Sequence, residues 1–121
     1  MPALTPRQAA LLRAAEAGQR GGLRAGGRVT VNNYTIGVAT AAEADAIGRA
    51  WVSYGRRAGY LEITARDGTR ILISDDRLRQ YRLQWKAGDR VLRANLEARP
   101  RPQGMWVDNA HVEIIYGPEA P

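Results

Sequence analysis

No cysteine occurs among the 121 residues, which excludes structural disulfides, thiol catalysis and thiolate metal sites. Phenylalanine is absent too, so a core must come from Leu, Ile, Val and Ala with three Trp and five Tyr. There is one histidine, His111, and one lysine, Lys86. A single imidazole with scattered carboxylates offers no metal constellation. The glycines contain no GxxxxGK[ST] pattern, and the chemistry expected below needs no cofactor. No stretch approaches the roughly 20 apolar residues that cross a bilayer, and the N-terminus lacks the apolar block of a signal peptide. The domain is therefore not expected to insert into a membrane. Export would depend on a larger parent chain or a dedicated machine.

What is present is positive charge. Eighteen basic residues against 12 acidic ones give a net charge of +6, and all but Lys86 are arginine. GC-rich coding favours Arg and Ala and is one source of that bias. Arg is also the side chain best suited to bidentate phosphate contacts, so the balance points to a polyanionic partner. An apolar share of 45% and a charged share of 25% are ordinary for a globular protein. The length suits one domain, expected to be monomeric.

The N-terminal part, residues 1–27, reads as a helix and a linker. Thr5-Pro-Arg-Gln8 opens the helix with a capping box and Pro in the first turn, and Gly18 ends it. The Gly/Arg-rich stretch 18–27 then reads as a flexible basic linker. Residues 28–116 form the expected core and 117–121 a frayed tail. Short extended stretches at 28–31 and 34–38 flank Asn32-Asn33, a candidate turn. Thr40-Ala-Ala-Glu43 is a second capping box, with Ala44, Ile47 and Trp51 on the buried face of a helix reaching Val52. Arg56-Arg57 follows in a loop. From Tyr60 the period becomes two. Residues 60–66 and 69–74 make a hairpin around Asp67-Gly68, a turn in which both positions favour positive φ. Leu61 and Ile63 should share the core face with Ile71 and Ile73. Residues 79–85 read as extended or irregular, and further extended stretches follow at 90–99, 105–107 and 109–116. The order predicts an α+β fold: one or two N-terminal helices packed on a four- to five-stranded antiparallel meander sheet.

The chemistry concentrates in the last strands. In 90–99, Leu92, Ala94, Leu96 and Ala98 alternate with Arg93, Asn95, Glu97 and Arg99. The final strand carries His111 and Glu113 with Val112 and Ile114 on its other side. If these strands share one sheet, a carboxylate, an imidazole and several guanidiniums share its second face. Those are the parts of metal-independent RNA cleavage: one group takes the 2′-hydroxyl proton, another protonates the leaving 5′-oxygen, and arginine stabilises the phosphorane. Glu97 is the candidate base and His111 the acid, or the reverse, with Arg99 as the cation. Aromatic residues lie among cations: Tyr81, Trp85, Trp106 and Tyr116 with Arg79, Arg82, Lys86 and Arg99. Such interleaving suits base stacking beside phosphate contacts, and Trp106, after Gly104, is the preferred platform. An exposed sheet face is also commonly charged for solvation and cross-strand pairing alone.

Ile73-Ser-Asp-Asp-Arg-Leu-Arg-Gln-Tyr-Arg82, Lys86, Ala94-Asn-Leu-Glu-Ala-Arg99 and Gly104-Met-Trp-Val-Asp-Asn-Ala-His-Val-Glu-Ile114 together resemble a C-terminal toxin module. That module occurs on contact-dependent growth inhibition and filamentous-haemagglutinin-like proteins, among the polymorphic toxins. Ala50-Trp-Val-Ser-Tyr-Gly55 is similar to a further element of it. Arg77 and Ala110 stand where the module has glycine, and Leu83-Gln-Trp85 replaces a Pro-rich stretch. The resemblance spans the C-terminal half to two-thirds and not Met1–Gly27. It implies a compact RNase-toxin-like fold, delivery from the cell surface as part of a larger secreted protein, action in the cytoplasm of target bacteria, and a cognate immunity protein. By position it points to Arg79, Arg82, Lys86, Asn95, Glu97, Arg99, Asn109 and His111; Arg93 and Trp106 join the expected substrate contacts from the pattern above. The expected function is ribonuclease action on tRNA or rRNA. The alternatives are a non-enzymatic nucleic-acid-binding module using the basic face, and an adaptor domain whose charged face is only solvated.

Overall fold

The computed structural model describes residues 3–55, 59–86 and 91–115, the side chains of Trp85, Lys86 and Val91 excepted. Both helices form where the capping boxes start them, α1 over Pro6–Ala17 and α2 over Ala41–Val52. Thr5 Oγ1 accepts from Gln8 N while Gln8 Oε1 accepts from Thr5 N, and Thr40 and Glu43 repeat the exchange. Each cap stabilises its helix by about 1 kcal/mol. The helix α2 buries Ala44, Ile47, Gly48, Trp51 and Val52, the stripe its helical spacing presents to a sheet.

The extended segments are β1 (Leu23–Ala25), β2 (Arg28–Thr30), β3 (Asn32–Ala39), β4 (Tyr60–Thr64), β5 (Arg70–Ser74), β6 (Arg79–Lys86), β7 (Val91–Ala98) and β8 (Asp108–Ile114). Strands β1 and β2 form a separate hairpin, and the rest form a six-stranded sheet in the order β3-β8-β7-β6-β5-β4. Both helices cover one face. Ile47 and Trp51 meet Leu72, Tyr81, Ala94, Leu96, Val112 and Ile114 there.

The α+β class and the β4–β8 meander agree with the pattern of the sequence. The strand count and the wholly antiparallel sheet do not. Strand β3 lies parallel beside β8 and closes the sheet at six strands. A parallel neighbour is joined through a long crossover, here α2 and the entire meander, so no hairpin turn announces it. Asn32-Asn33 is accordingly no turn. Asn32 is buried, its Nδ2 donating to Gly18 O and Asp108 Oδ1 at 2.9 Å each.

The Gly/Arg-rich stretch is not a simple linker either. Asp108 Oδ1 and Oδ2 accept from the backbone N–H groups of Arg20, Gly21 and Gly22 at 2.9–3.3 Å. Those contacts fasten the segment to β8, and β1 and β2 pair immediately after it. Residues 105–107 form no strand, although Val107 N donates to Ala98 O at 3.0 Å.

In the β4–β5 hairpin, Gly68 alone of the two turn residues has positive φ, at 87°. Ala65 N donates to Thr69 O, so the loop is a three-residue turn with glycine in the left-handed position. Leu61 faces Ile73 and Ile63 faces Ile71, as alternation requires, but on the side away from the helices. Leu72 is the residue of β5 that enters the helix-covered core, leaving Leu61 and Ile63 each 45% exposed.

Candidate active site on the open sheet face

Residues directly opposite across neighbouring strands share a face. In β7 and β8, Glu97 stands opposite Asn109, Asn95 opposite His111 and Arg93 opposite Glu113. On the other flank of β7, Gln80 stands opposite Glu97, Arg82 opposite Asn95 and Gln84 opposite Arg93. Strand β3 brings Asn33 beside Asn109 and Thr35 beside His111. The helices hold the opposite side of the sheet, where Ala94, Leu96, Ala110 and Val112 are buried against them. Glu97, His111, Arg82, Arg93, Asn95 and Asn109 therefore converge on one face.

Glu97 is 6% exposed. Its Oε1 lies 2.6 Å from Arg82 Nε and accepts from Gln80 Nε2 at 2.9 Å. Its Oε2 makes no hydrogen bond among the described residues, so one carboxylate oxygen is anchored and the other is left for a further partner. Beneath the sheet, Trp51 Nε1 donates to the Glu97 carbonyl at 3.0 Å, which fixes the backbone from the core side. His111 Nε2 lies 3.0 Å from Asn33 Oδ1. That oxygen is an acceptor, so the contact is made with a proton on Nε2.

Asn95 and Asn109, expected as substrate contacts, are buried, at 1% and 9% exposure. They form a floor beneath Arg82 and His111, with Asn109 Nδ2 donating to Asn95 Oδ1 at 3.5 Å. Among the described residues, Asn109 Oδ1 is buried without a hydrogen-bond partner, a state that costs about 1–3 kcal/mol and is uncommon in folded proteins.

Arg79 does not belong to this group. Its partner across the ladder is Ala98, on the helix side, and it is 7% exposed. Its guanidinium lies between the rings of Trp51 and Tyr54, at 4.0 and 3.8 Å from their centroids, and grips both carboxylate oxygens of Glu16 at 3.0 and 2.9 Å. One odd position on β6 separates it from the even positions Gln80, Arg82 and Gln84. It ties α1, α2 and β6 together and is closed to a substrate.

Arg99 follows β7 directly, two positions after Glu97. Its Nε donates to Arg77 O at 2.8 Å and its Nη1 to Gly104 O at 3.1 Å, while the guanidinium lies 3.9 Å from the centroid of the Trp106 ring. Burial, then the neighbouring Arg77 charge, lower its pKa. A cleft of about 300 Å³ opens beside Arg99 between residues 19–21 and 98–100, at the end of the sheet and not over Glu97 and His111. The side chain of Lys86 and the residues Arg56, Arg57 and Tyr116 lie outside the described residues.

Asn33 and Gln80 were missed by reasoning from sequence. Gln80 was signalled by the alternation Gln80-Tyr-Arg82-Leu-Gln84, whose polar members share the face of Glu97. Asn33 carried no such signal, because its place depends on the parallel pairing of β3.

Among the described residues, no three His, Asp or Glu side chains converge as a metal site requires, and no helix is long and apolar enough to span a membrane. Fold and face together define a small α+β protein with a cation-rich polar sheet surface. No family model, curated protein or solved structure matches the chain.

Proposed function

We propose that this chain is an endoribonuclease, the toxin domain of a larger secreted bacterial protein, which cleaves tRNA or rRNA in the cytoplasm of target cells and is held in check by a cognate immunity protein. The single observation that carries the activity is the register of β6, β7 and β8, which sets Glu97, Arg82 and His111 on one sheet face. Diagonal positions on neighbouring strands are about 7–8 Å apart, so Glu97 and His111 bracket a space suited to one phosphate group.

The reaction is an internal displacement. Glu97 Oε2 takes the 2′-hydroxyl proton, the 2′-oxygen bonds to phosphorus, and the P–O5′ bond breaks as His111 gives its proton to the leaving oxygen. The products are a 2′,3′-cyclic phosphate and a 5′-hydroxyl. Arg82, already against the base, supplies positive charge for the phosphorane, and Arg99 at the strand end supplies it for the neighbouring phosphate. Residue chemistry of this kind suffices without a metal ion. The delivery and immunity parts of the proposal rest on the resemblance of the motifs to contact-dependent toxin modules.

A second reading is favoured by one contact. The Arg82–Glu97 pair at 2.6 Å is also what a purely structural cross-strand ion pair looks like, and the same basic face would then only grip phosphate. Incubation of total RNA with the protein in EDTA separates the two. Cleavage that disappears in His111→Ala and Glu97→Ala, both still folded, supports the nuclease. Salt-sensitive binding without products supports the binding module.

A further inference from the structure

Among the described non-glycine residues only Arg77 has a left-handed backbone, at φ 65°. The turn imposes it. Arg77 N donates to Ser74 O at 2.9 Å, and Asp76 Oδ1 accepts from Ser74 Oγ and Leu78 N. Glycine or asparagine would hold this position with little strain, whereas an arginine Cβ crowds its own carbonyl. Nothing in the fold offsets that strain through the side chain. It is exposed and makes no hydrogen bond or ion pair among the described residues. The carboxylates of its own turn face elsewhere: Asp76 contacts Ser74, Leu78 and Tyr54, and Asp75 lies against Gly59. Strained residues persist where they serve a site.

The strained turn aims the Arg77 carbonyl at Arg99 Nε, 2.8 Å away. That contact sets the Arg77 backbone against the Arg99 guanidinium, which lies over the Trp106 ring, and the Arg77 charge is close enough to help lower the Arg99 pKa; no described carboxylate pairs with either. Like charges so placed repel unless an anion lies between them, and the burial that lowers the pKa of Arg99 sharpens that need.

We propose that Arg77 and Arg99 form a phosphate clamp for single-stranded RNA, holding the phosphate next to the one cleaved and leading the adjoining base onto Trp106. The clamp rests on the ribonuclease reading for its substrate class, and it assigns Arg77 a role that glycine in the same turn would lack. Guanidiniums flanking an aromatic ring suit a backbone phosphate with a stacked base.

The test uses a fluorescent 2′-O-methyl oligoribonucleotide, which cannot be cleaved, with wild-type protein and the Arg77→Asn and Arg77→Lys variants. For Arg77→Asn, about tenfold weaker binding is expected at 0.1 M KCl. The slope of log K against log salt should be shallower by about 0.7, the loss of one phosphate contact on a single strand. Its Tm should hold or rise by up to about 3 °C as strain is relieved. Arg77→Lys should retain the salt slope. An unchanged slope in Arg77→Asn overturns the clamp, as does a wild-type protein that does not bind the probe. So does equal loss of binding and Tm in both variants, which would mark a structural role. Cleavage of unmodified RNA, measured in parallel, keeps the nuclease separate: activity with an unchanged slope removes only the clamp, and a lost slope without activity in the wild type removes only the nuclease.

Discussion

Glu97 and Arg82 meet across β6 and β7 at 2.6 Å, with Gln80 binding the same carboxylate oxygen. The contact orients the proposed base from two sides and leaves Oε2 for the 2′-hydroxyl. Glu97→Gln keeps the size of the side chain but removes the basic oxygen. It should lower RNA cleavage by at least about 100-fold, as should His111→Ala, with the far-ultraviolet circular dichroism unchanged. A Glu97→Gln protein that cleaves at the wild-type rate would remove Glu97 from the chemistry.

Arg79 and Arg82 provide an internal contrast. They leave one strand on opposite sides, Arg79 between Trp51 and Tyr54 and Arg82 beside Glu97. Arg79→Ala should destabilise the fold by about 2–3 kcal/mol through lost stacking and the lost Glu16 pair. Cleavage per folded molecule should persist. Arg82→Ala should lower cleavage sharply as well as stability. Urea titration alongside the rate of cleavage distinguishes the two residues.

That contrast also marks what the sequence could disclose. The alternation in 90–99 and in 109–114 was strong enough to fix the common face of Glu97 and His111, because both strands bury small or branched apolar residues on one side. Arg79 and Arg82, three residues apart on a strand, must point oppositely, yet 79–85 reads as either extended or irregular, which leaves their sides unassigned. The apolar face of β4 and β5 was misjudged for a related reason: four aliphatic residues alternate there, and periodicity does not say on which side the helices lie. Asn33 and the fastening of the glycine-rich segment by Asp108 depend on contacts across 76–88 positions in sequence, and no local signal carries these.

Gly48 tests the packing of α2 on the sheet. A Cβ there would lie 2.4 Å from Tyr81 Cγ, and the ring is held by Tyr81 Oη donating to Asp45 Oδ1 at 2.7 Å. Gly→Ala normally favours a helix by about 1 kcal/mol. Here Gly48→Ala should instead lower stability by about 2–3 kcal/mol, which thermal or urea unfolding would read directly.

Asp108 gives a pH dependence with a definite sign. Burial acts to raise its pKa, but the hydrogen bonds from Asn32, Arg20, Gly21 and Gly22 together hold it below the ordinary carboxylate range. The folded state therefore favours the ionised form. Its contribution is complete above the unfolded value of about 3.9 and fades as pH falls through the lower folded value. Asp108→Asn should cost about 2–3 kcal/mol at pH 7. The gap from wild type should narrow below about pH 4, as measured by urea unfolding at both pH values.

The chemistry at Glu97 and His111 is tested most directly by the ends of the RNA fragments made in EDTA. Internal displacement by the 2′-oxygen predicts 2′,3′-cyclic phosphate and 5′-hydroxyl termini from the wild-type protein and none from His111→Ala. Fragments with 3′-hydroxyl and 5′-phosphate termini, or no fragments at all without added metal, would contradict it.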